Sequence, residues 1–338
     1  MFLAVALNPA LDVTYEVPRF GPGATHRVGR PRVRAGGKGV NVARVLHAVG
    51  ETAHVIGFAG GQGGQVVENE LMAAGVAATL VPVAGETRRT VTVVETATGV
   101  ATMLSEPGPA VTAAEWRDFT DRFTDLARKA RVVVLTGSLP PGLPADAYAV
   151  LIRAAGRAGG APVLLDADGP ALREGARAAP TMVKPNADEL SSATGHADPG
   201  LGAAALRELG AGAVVVSQGA EGVTAVTNAG AWRASSPEPI VGNPTGAGDA
   251  AAAALARGMA AGHSSPGAWP ELLRDAVALS AAAVAAPVAG EIDHETYARL
   301  RPLVQVVPAR VSPPGQGPPA APRPTCPPAA PPFARESR

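Results

Sequence analysis

The apolar positions of this chain fall into short unbroken runs separated by stretches of helical spacing. Residues 2–7 form the first run and end in Asn8-Pro9, the pattern of a strand buried on both faces with a loop at its carboxyl end. From 13 to 33 the pattern shortens and turns polar, interrupted by Pro18, Gly21-Pro22-Gly23 and Pro31. Such pieces cannot make a core by themselves and predict strand fragments of a lid. Val42, Val45, Leu46 and Val49 then recur at helical spacing, so a helix is predicted over 39–49, opened by Gly36-Gly37-Lys38-Gly39. A strand at 52–58, a helix at 65–74 and a strand at 77–81 follow. Residues 87–95 and 100–104 alternate as a hairpin about Ala97-Thr98-Gly99, the second lid piece.

Strands and helices then alternate: a helix from Ala113, a strand at 132–136, a helix at 145–155, a strand at 162–166, a short helix at Ala171, a strand at 182–183 and a helix at 187–193. The runs Val132-Val133-Val134-Leu135 and Val214-Val215-Val216 have no polar face. They predict an α/β fold, a doubly wound and mainly parallel sheet with helices on both faces. Ligands of such sheets bind beyond the strands' carboxyl ends, where Ser138, Asp166, Lys184 and Ser217 fall. An antiparallel edge hairpin at 223–226 and 231–234, helices at 246–261 and 272–286 and a last element near 303–307 complete one domain, 1–307. Residues 308–338, dense in proline, cannot bury enough surface to fold and are expected to be a disordered tail.

Composition narrows the classes of function. Lys+Arg and Asp+Glu both number 29, so the net charge of zero gives no steering toward nucleic acid or an anionic membrane. The single cysteine, Cys326, excludes an intrachain disulfide framework and fits a reducing, cytoplasmic setting. Residues 1–7 lack the basic start of a signal peptide, and the apolar run 276–289 is short and broken by Pro287, so no membrane span is expected.

The most informative stretch is Asn243-Pro244-Thr245-Gly246-Ala247-Gly248-Asp249, which runs into an alanine-rich helix. Glycines at a helix start let an anion approach the unpaired first-turn amides. Taken alone, Asp249 reads first as a carboxylate that caps the helix or complements its dipole, and the motif by itself is weak. Asn186 and Glu189 share one face once a helix begins there, and a cap plus a surface carboxylate explains that spacing nearly as well as a ligand site. Gly36-Gly37-Lys38-Gly39 lacks the spacing of a Walker A loop. The six histidines include no pair at metal-ligand spacing.

Together with Ser217-Gln218-Gly219-Ala220-Glu221-Gly222, these stretches occur in an order that resembles the PfkB family of ribokinase-like carbohydrate kinases, from about Leu3 to about Leu303. Asn8-Pro9-Ala10-Leu11-Asp12, Thr87-Arg88, Gly137-Ser138-Leu139-Pro140-Pro141-Gly142 and Lys184-Pro185-Asn186 look like its 1-phosphofructokinase and tagatose-6-phosphate kinase branch. The resemblance implies a ribokinase-like fold with a small β lid (about 12–35 and 87–105) and a kinase using ATP and Mg²⁺ on a sugar phosphate. It implies Asp249 as base and the amides of Gly246, Ala247 and Gly248 as an anion hole. For the acceptor it implies Asp12, Gly36, Gly37 and Asn41, with Lys38, Arg88, Ser138 and Arg27 around the phosphate already present. For the nucleotide it implies Lys184, Asn186, Ser217, Gly219, Gly222 and Asn243, with Glu189 holding the metal through water. The most direct expectation is conversion of fructose 1-phosphate to fructose 1,6-bisphosphate. Tagatose-6-phosphate kinase and 6-phosphofructokinase are the alternatives within the class, a non-catalytic sugar-phosphate sensor the one outside it. A homodimer through the lid strands also follows from the resemblance. Thr90 departs from the Asn usual in the branch, and Asp166-Ala167-Asp168-Gly169 from its Asp-x-Ser-Gly.

Overall fold

A computed structural model describes residues 1–262 and 266–309. Residues 310–338, the bulk of the expected tail with Cys326, lie outside the described residues. The first half of the chain runs β1 (Phe2–Ala6), β2 (Ala10–Val17), β3 (Arg32–Gly36), α1 (Lys38–Ala48), β4 (Ala53–Ala59), α2 (Gly61–Ala73), β5 (Ala77–Pro82), β6 (Arg89–Glu95), β7 (Ala101–Ser105), α3 (Ala113–Ala127), β8 (Val132–Thr136) and α4 (Ala147–Ala158). The second runs β9 (Val163–Asp166), α5 (Gly169–Arg177), β10 (Met182–Val183), α6 (Ala187–Thr194), α7 (Pro199–Leu209), β11 (Ala213–Ser217), β12 (Val223–Thr227), β13 (Gly230–Ser235), α8 (Ala247–Ala260), α9 (Trp269–Ala285), α10 (His294–Leu300) and β14 (Gln305–Pro308).

Ten strands form one sheet in the order β14-β13-β12-β11-β10-β9-β8-β1-β4-β5, parallel from β11 to β5 and antiparallel from β11 to β14. Strand β1 shows why its sequence is apolar at every position. Phe2, Ala4 and Ala6 join the core under α1, α8 and α9, whereas Leu3 and Val5 join Phe119, Tyr148 and Leu151 on the opposite face. With a side-chain period of two, a strand covered on both faces has no polar position left.

The small sheet, β3-β2-β6-β7, pairs β2 with β6 in parallel and each with its hairpin partner in antiparallel. Its register sorts chemistry from packing. Arg34, Asp12, Thr90 and Ser105 lie in one cross-strand row, and Val33, Val13, Val91 and Leu104 in the next, on the other face.

Several elements depart from the sequence pattern. Helix α7 was not expected, because Gly200 and Gly202 blur its periodicity. Asp198 caps it by accepting from Leu201 N at 2.8 Å, Pro199 occupies the first turn, and a Cβ at Gly202 would sit 2.7 Å from the Leu190 side chain. Helix α2 begins at Gly61, four residues before its predicted start, because Gly63 and Gly64 are spaces for close packing against Leu11, Ala59 and Thr87. Helix α9 likewise begins three residues early, with Pro270 in its first turn. Strand β14 covers β13, so the 223–235 hairpin is not an edge. The ordered backbone also passes the expected boundary at 307, with Ala309 N donating to Ala231 O at 2.9 Å. No helix among the described residues is long and apolar enough to cross a membrane.

Candidate active site

A cavity of about 790 Å³ lies where three things meet: the polar row of the small sheet, the carboxyl ends of β9, β10 and β11, and the start of α8. Gly246 caps α8 at φ 87°, a left-handed conformation that glycine adopts without strain, and a Cβ there would also press on Ala289 at 3.0 Å. Ala250 N makes the first intrahelical bond, to Gly246 O at 2.9 Å, so the amides of Gly248 and Asp249 precede the ladder. The Ala247 amide is engaged, donating to Pro244 O at 3.2 Å. It is therefore not a free member of the expected anion hole. Asn243, expected at the nucleotide, instead accepts from Thr245 N at 3.0 Å and lines a second cavity of about 390 Å³ beside the small sheet. Its amide shapes the turn that precedes α8.

Asp249 is only 6% exposed and faces the large cavity. Its Oδ2 accepts from Asn41 Nδ2 at 2.8 Å, which joins α1 to α8 near the N-terminal ends of both helices. Burial, helped by the negative charge of Asp166, pushes this carboxyl up to about 7 against the opposing pull of Asn41, Lys38 and Lys184. Asn41, expected against a sugar, lines the cavity with one of its two amide N–H groups engaged by the carboxylate.

The charged centre of the site is Asp166, which the sequence sets at a strand's carboxyl end without giving it a role. It ends β9, is 1% exposed, and accepts from Lys184 Nζ at 2.9 Å through Oδ2 and from Lys38 Nζ at 3.0 Å through Oδ1. Burial would raise its carboxyl, but the two ammonium groups overcome that and hold it below the usual range. Lys38 Nζ also lies 3.2 Å from Glu189 Oε1. Burial opposes its charge, yet Asp166 and Glu189 keep the ammonium well above its ordinary value. Lys38 thus stands among acids on the Lys184 side of the cavity, whereas the resemblance implied a place around the sugar phosphate. A carboxylate closing an apolar strand at the ligand end of a parallel sheet was the signal for Asp166.

Asn186 and Glu189 form a reciprocal cap on α6, Glu189 N to Asn186 Oδ1 and Asn186 N to Glu189 Oε2, both at 2.8 Å. The helix-cap reading describes the geometry, and the second Glu189 oxygen still faces Lys38. Ser217 stands 3.5 Å from the Pro185 carbonyl and lines the cavity with Gly219 and Gly222. At φ 90° Gly222 makes the turn into β12, where a side chain would run into Ala234.

From the small sheet, Asp12 is pushed up to about 6 by burial, against the opposing pull of Arg88 and of Thr90 beside it. The threonine that replaces the usual asparagine stands directly across the strands from Asp12 and lines the same cavity. Gly36 leaves room for Asp12, since a Cβ would overlap the carboxyl group, and Gly37 opens α1 at φ 92°. Thr87 accepts from Gly60 N at 3.0 Å and pins the segment carrying Arg88, which lines the cavity. Ser138 lies off the cavity lining, hydrogen-bonded to Asn8 Nδ2 at 3.1 Å. Arg27 is exposed between β2 and β3 and lines neither cavity, so the structure does not bring it to the site.

The profile of the pfkB family carbohydrate kinases matches residues 5–295. A tagatose-6-phosphate kinase of Staphylococcus epidermidis (strain RP62A) is 33% identical over 271 residues, covering 77% of this chain and 85% of that protein. A 1-phosphofructokinase of Rhodobacter capsulatus is 40% identical over 257 residues, 74% of this chain and 81% of that protein. The tetrameric inhibited form of phosphofructokinase-2 from Escherichia coli matches with a TM-score of 0.81 at 28% identity, over 89% of this chain and 98% of that one. The architecture is the ribokinase-like α/β fold. The chain belongs to the pfkB family of carbohydrate kinases and is a phosphotransferase acting on a sugar hydroxyl.

Proposed function

We propose that this kinase transfers the γ-phosphoryl group of ATP to the free primary hydroxyl of a ketohexose phosphate, most simply fructose 1-phosphate, giving fructose 1,6-bisphosphate. The observation that carries the reading is one cavity holding a buried carboxylate raised to about 7 at a helix start, with Asp12 and Arg88 opposite it on the small sheet. Asp249 accepts the proton of the attacking hydroxyl, and the amides of Gly246 and Gly248 stabilise charge on the transferring group. Asp12 receives hydrogen bonds from sugar hydroxyls. Arg88, with Ser138 behind it, holds the phosphate already present. Lys184, Ser217 and the 219–222 turn face the nucleotide.

Magnesium fits the chemistry of Asp166 and Glu189, two carboxylates that already converge on one cation, the Lys38 ammonium. Bound there with most of its waters, it would neutralise the nucleotide phosphates.

A coupled ADP assay across fructose 1-phosphate, fructose 6-phosphate and tagatose 6-phosphate tests the assignment. Turnover of none of them would end it. The tagatose 6-phosphate reading rests on the relative of that name and is the second arm of the same assay. Arg88→Ala is expected to raise KM for the phosphosugar about 10- to 100-fold, the size of a lost charged hydrogen bond, and to leave turnover of the unphosphorylated sugar unchanged. Equal losses on both would remove the phosphate clamp.

A homodimer through the small sheet is supported by its apolar row, where Val33 and Leu104 are exposed, and by the tetrameric assembly of the Escherichia coli relative. Light scattering is expected to read twice the chain mass, and Leu104→Asp to shift it toward one chain. A wild-type monomer at all concentrations would refute the interface.

A further inference from the structure

Asn8 has no part in the chemistry described above, yet three segments meet at its side chain. It is 8% exposed, in the turn between β1 and β2. Its Nδ2 donates to Pro107 O at 3.0 Å and to Ser138 Oγ at 3.1 Å, joining the stretch after β7 to the loop after β8. The Pro107 carbonyl can only accept, so the amide nitrogen must be the atom that faces it. Oδ1 is then enclosed without a donor, against Gly108, whose missing side chain makes the room. An enclosed acceptor with no partner opposes folding, and an apolar side chain would fill the space without that penalty. What the amide contributes is the pair of bonds made by Nδ2.

Those bonds lie under Arg88. Its Nε donates to Asn8 O at 3.1 Å, and its Nη1 to Glu106 O at 3.3 Å and Ser105 Oγ at 2.7 Å. The two backbone carbonyls that carry the guanidinium belong to the turn that holds Asn8 itself and to the 105–107 stretch that its amide binds. Nη2 has no hydrogen-bond partner among the described residues, and Arg88 lines the large cavity.

We propose that Asn8 is a positioning residue for the sugar phosphate: its side chain locks the two carbonyl supports of Arg88 to each other and to Ser138, and so aims the remaining guanidinium nitrogen into the cavity. The inference rests on Arg88 being the phosphate clamp. The test is a double-mutant cycle with fructose 1-phosphate, measuring KM, kcat and KM for ATP, together with calorimetric binding of fructose 1-phosphate in the absence of nucleotide. Asn8→Ala is expected to raise KM and the dissociation constant for fructose 1-phosphate about 10-fold, the size of a buried hydrogen-bond pair. The values of kcat and KM for ATP should stay within about 3-fold. In the Arg88→Ala background the same change should add less than about 2-fold, because the supports then carry nothing.

Should Asn8→Ala not fold, Asn8→Asp keeps the volume and sets a carboxylate oxygen against the Pro107 carbonyl, and the same split is expected. An equal fold-change in both backgrounds, or a loss shared by ATP, overturns the positioning role and leaves Arg88 in place. Arg88→Ala without effect on fructose 1-phosphate binding removes the clamp and this inference with it.

Discussion

Asp249→Asn is expected to lower kcat by about 10²- to 10⁴-fold, the usual size of general-base assistance, while KM for ATP changes little. The substitution keeps the size of the side chain and its contact with Asn41, so the loss isolates the proton-accepting function from packing. The wild-type rate should rise with pH along an acid limb near 7, because burial raises the Asp249 carboxyl to about 7 and only its ionised form accepts a proton. The residual rate of the asparagine variant should lack that limb. Asp12, raised to about 6, adds a second, lower limb to kcat/KM, which reports the free enzyme.

The same shift makes an opposite prediction for stability. The folded-state carboxyl lies above its ordinary 3.8, so folding favours the protonated form. That advantage is complete below about 4 and is lost as pH rises through 7, where ionising Asp249 costs at most about 4 kcal/mol. Asp249→Asn should therefore be more stable than wild type at pH 8 and no more stable at pH 4, read by chemical denaturation at both. A variant inactive and also less stable at pH 8 would mean that the loss came from packing.

Much of this arrangement was legible in the chain. Apolar strands without a polar face fixed a parallel sheet, and their carboxyl ends marked where Asp166, Lys184 and Ser217 emerge. Gly246 and Asp249 announced a helix start with a carboxylate in its first turn, and the structure places both at the cavity. What pattern could not supply was the choice of partner. Lys38 has four methylene carbons of reach, and nothing in its neighbours says that it will settle between Asp166 and Glu189 instead of beside Arg88. Asn243 stands apart for a different reason: an asparagine before Pro-Thr can bond its own backbone two residues on, and that local closure sets it beside the second cavity. Arg27 shares the polarity of the lid but not its strands. The register of β2 against β3 and β6, which sets Arg34, Asp12, Thr90 and Ser105 on one face, depends on long-range pairing that no window of sequence contains.

Asp166→Asn should affect both stability and the pH profile, because one carboxylate holds both lysines. Removing it leaves the Lys184 ammonium, 4% exposed, without its counter-charge, and breaking one side of a buried pair costs about 3–5 kcal/mol. The wild-type carboxyl is held below its ordinary value, so its contribution is present above that value and is lost as pH falls through the folded one. The stability gap should be full at pH 7.5 in chemical denaturation and should close in acid. The second effect is on Asp249. Asp166 raises that carboxyl while Lys38 and Lys184 lower it, so the substitution removes the upward push and frees the two ammonium groups to act. The acid limb of the residual rate should move below 7, even as turnover falls. A limb that stays near 7 together with an unchanged denaturation midpoint would show that Asp166 neither balances the lysines nor sets the proton affinity of Asp249.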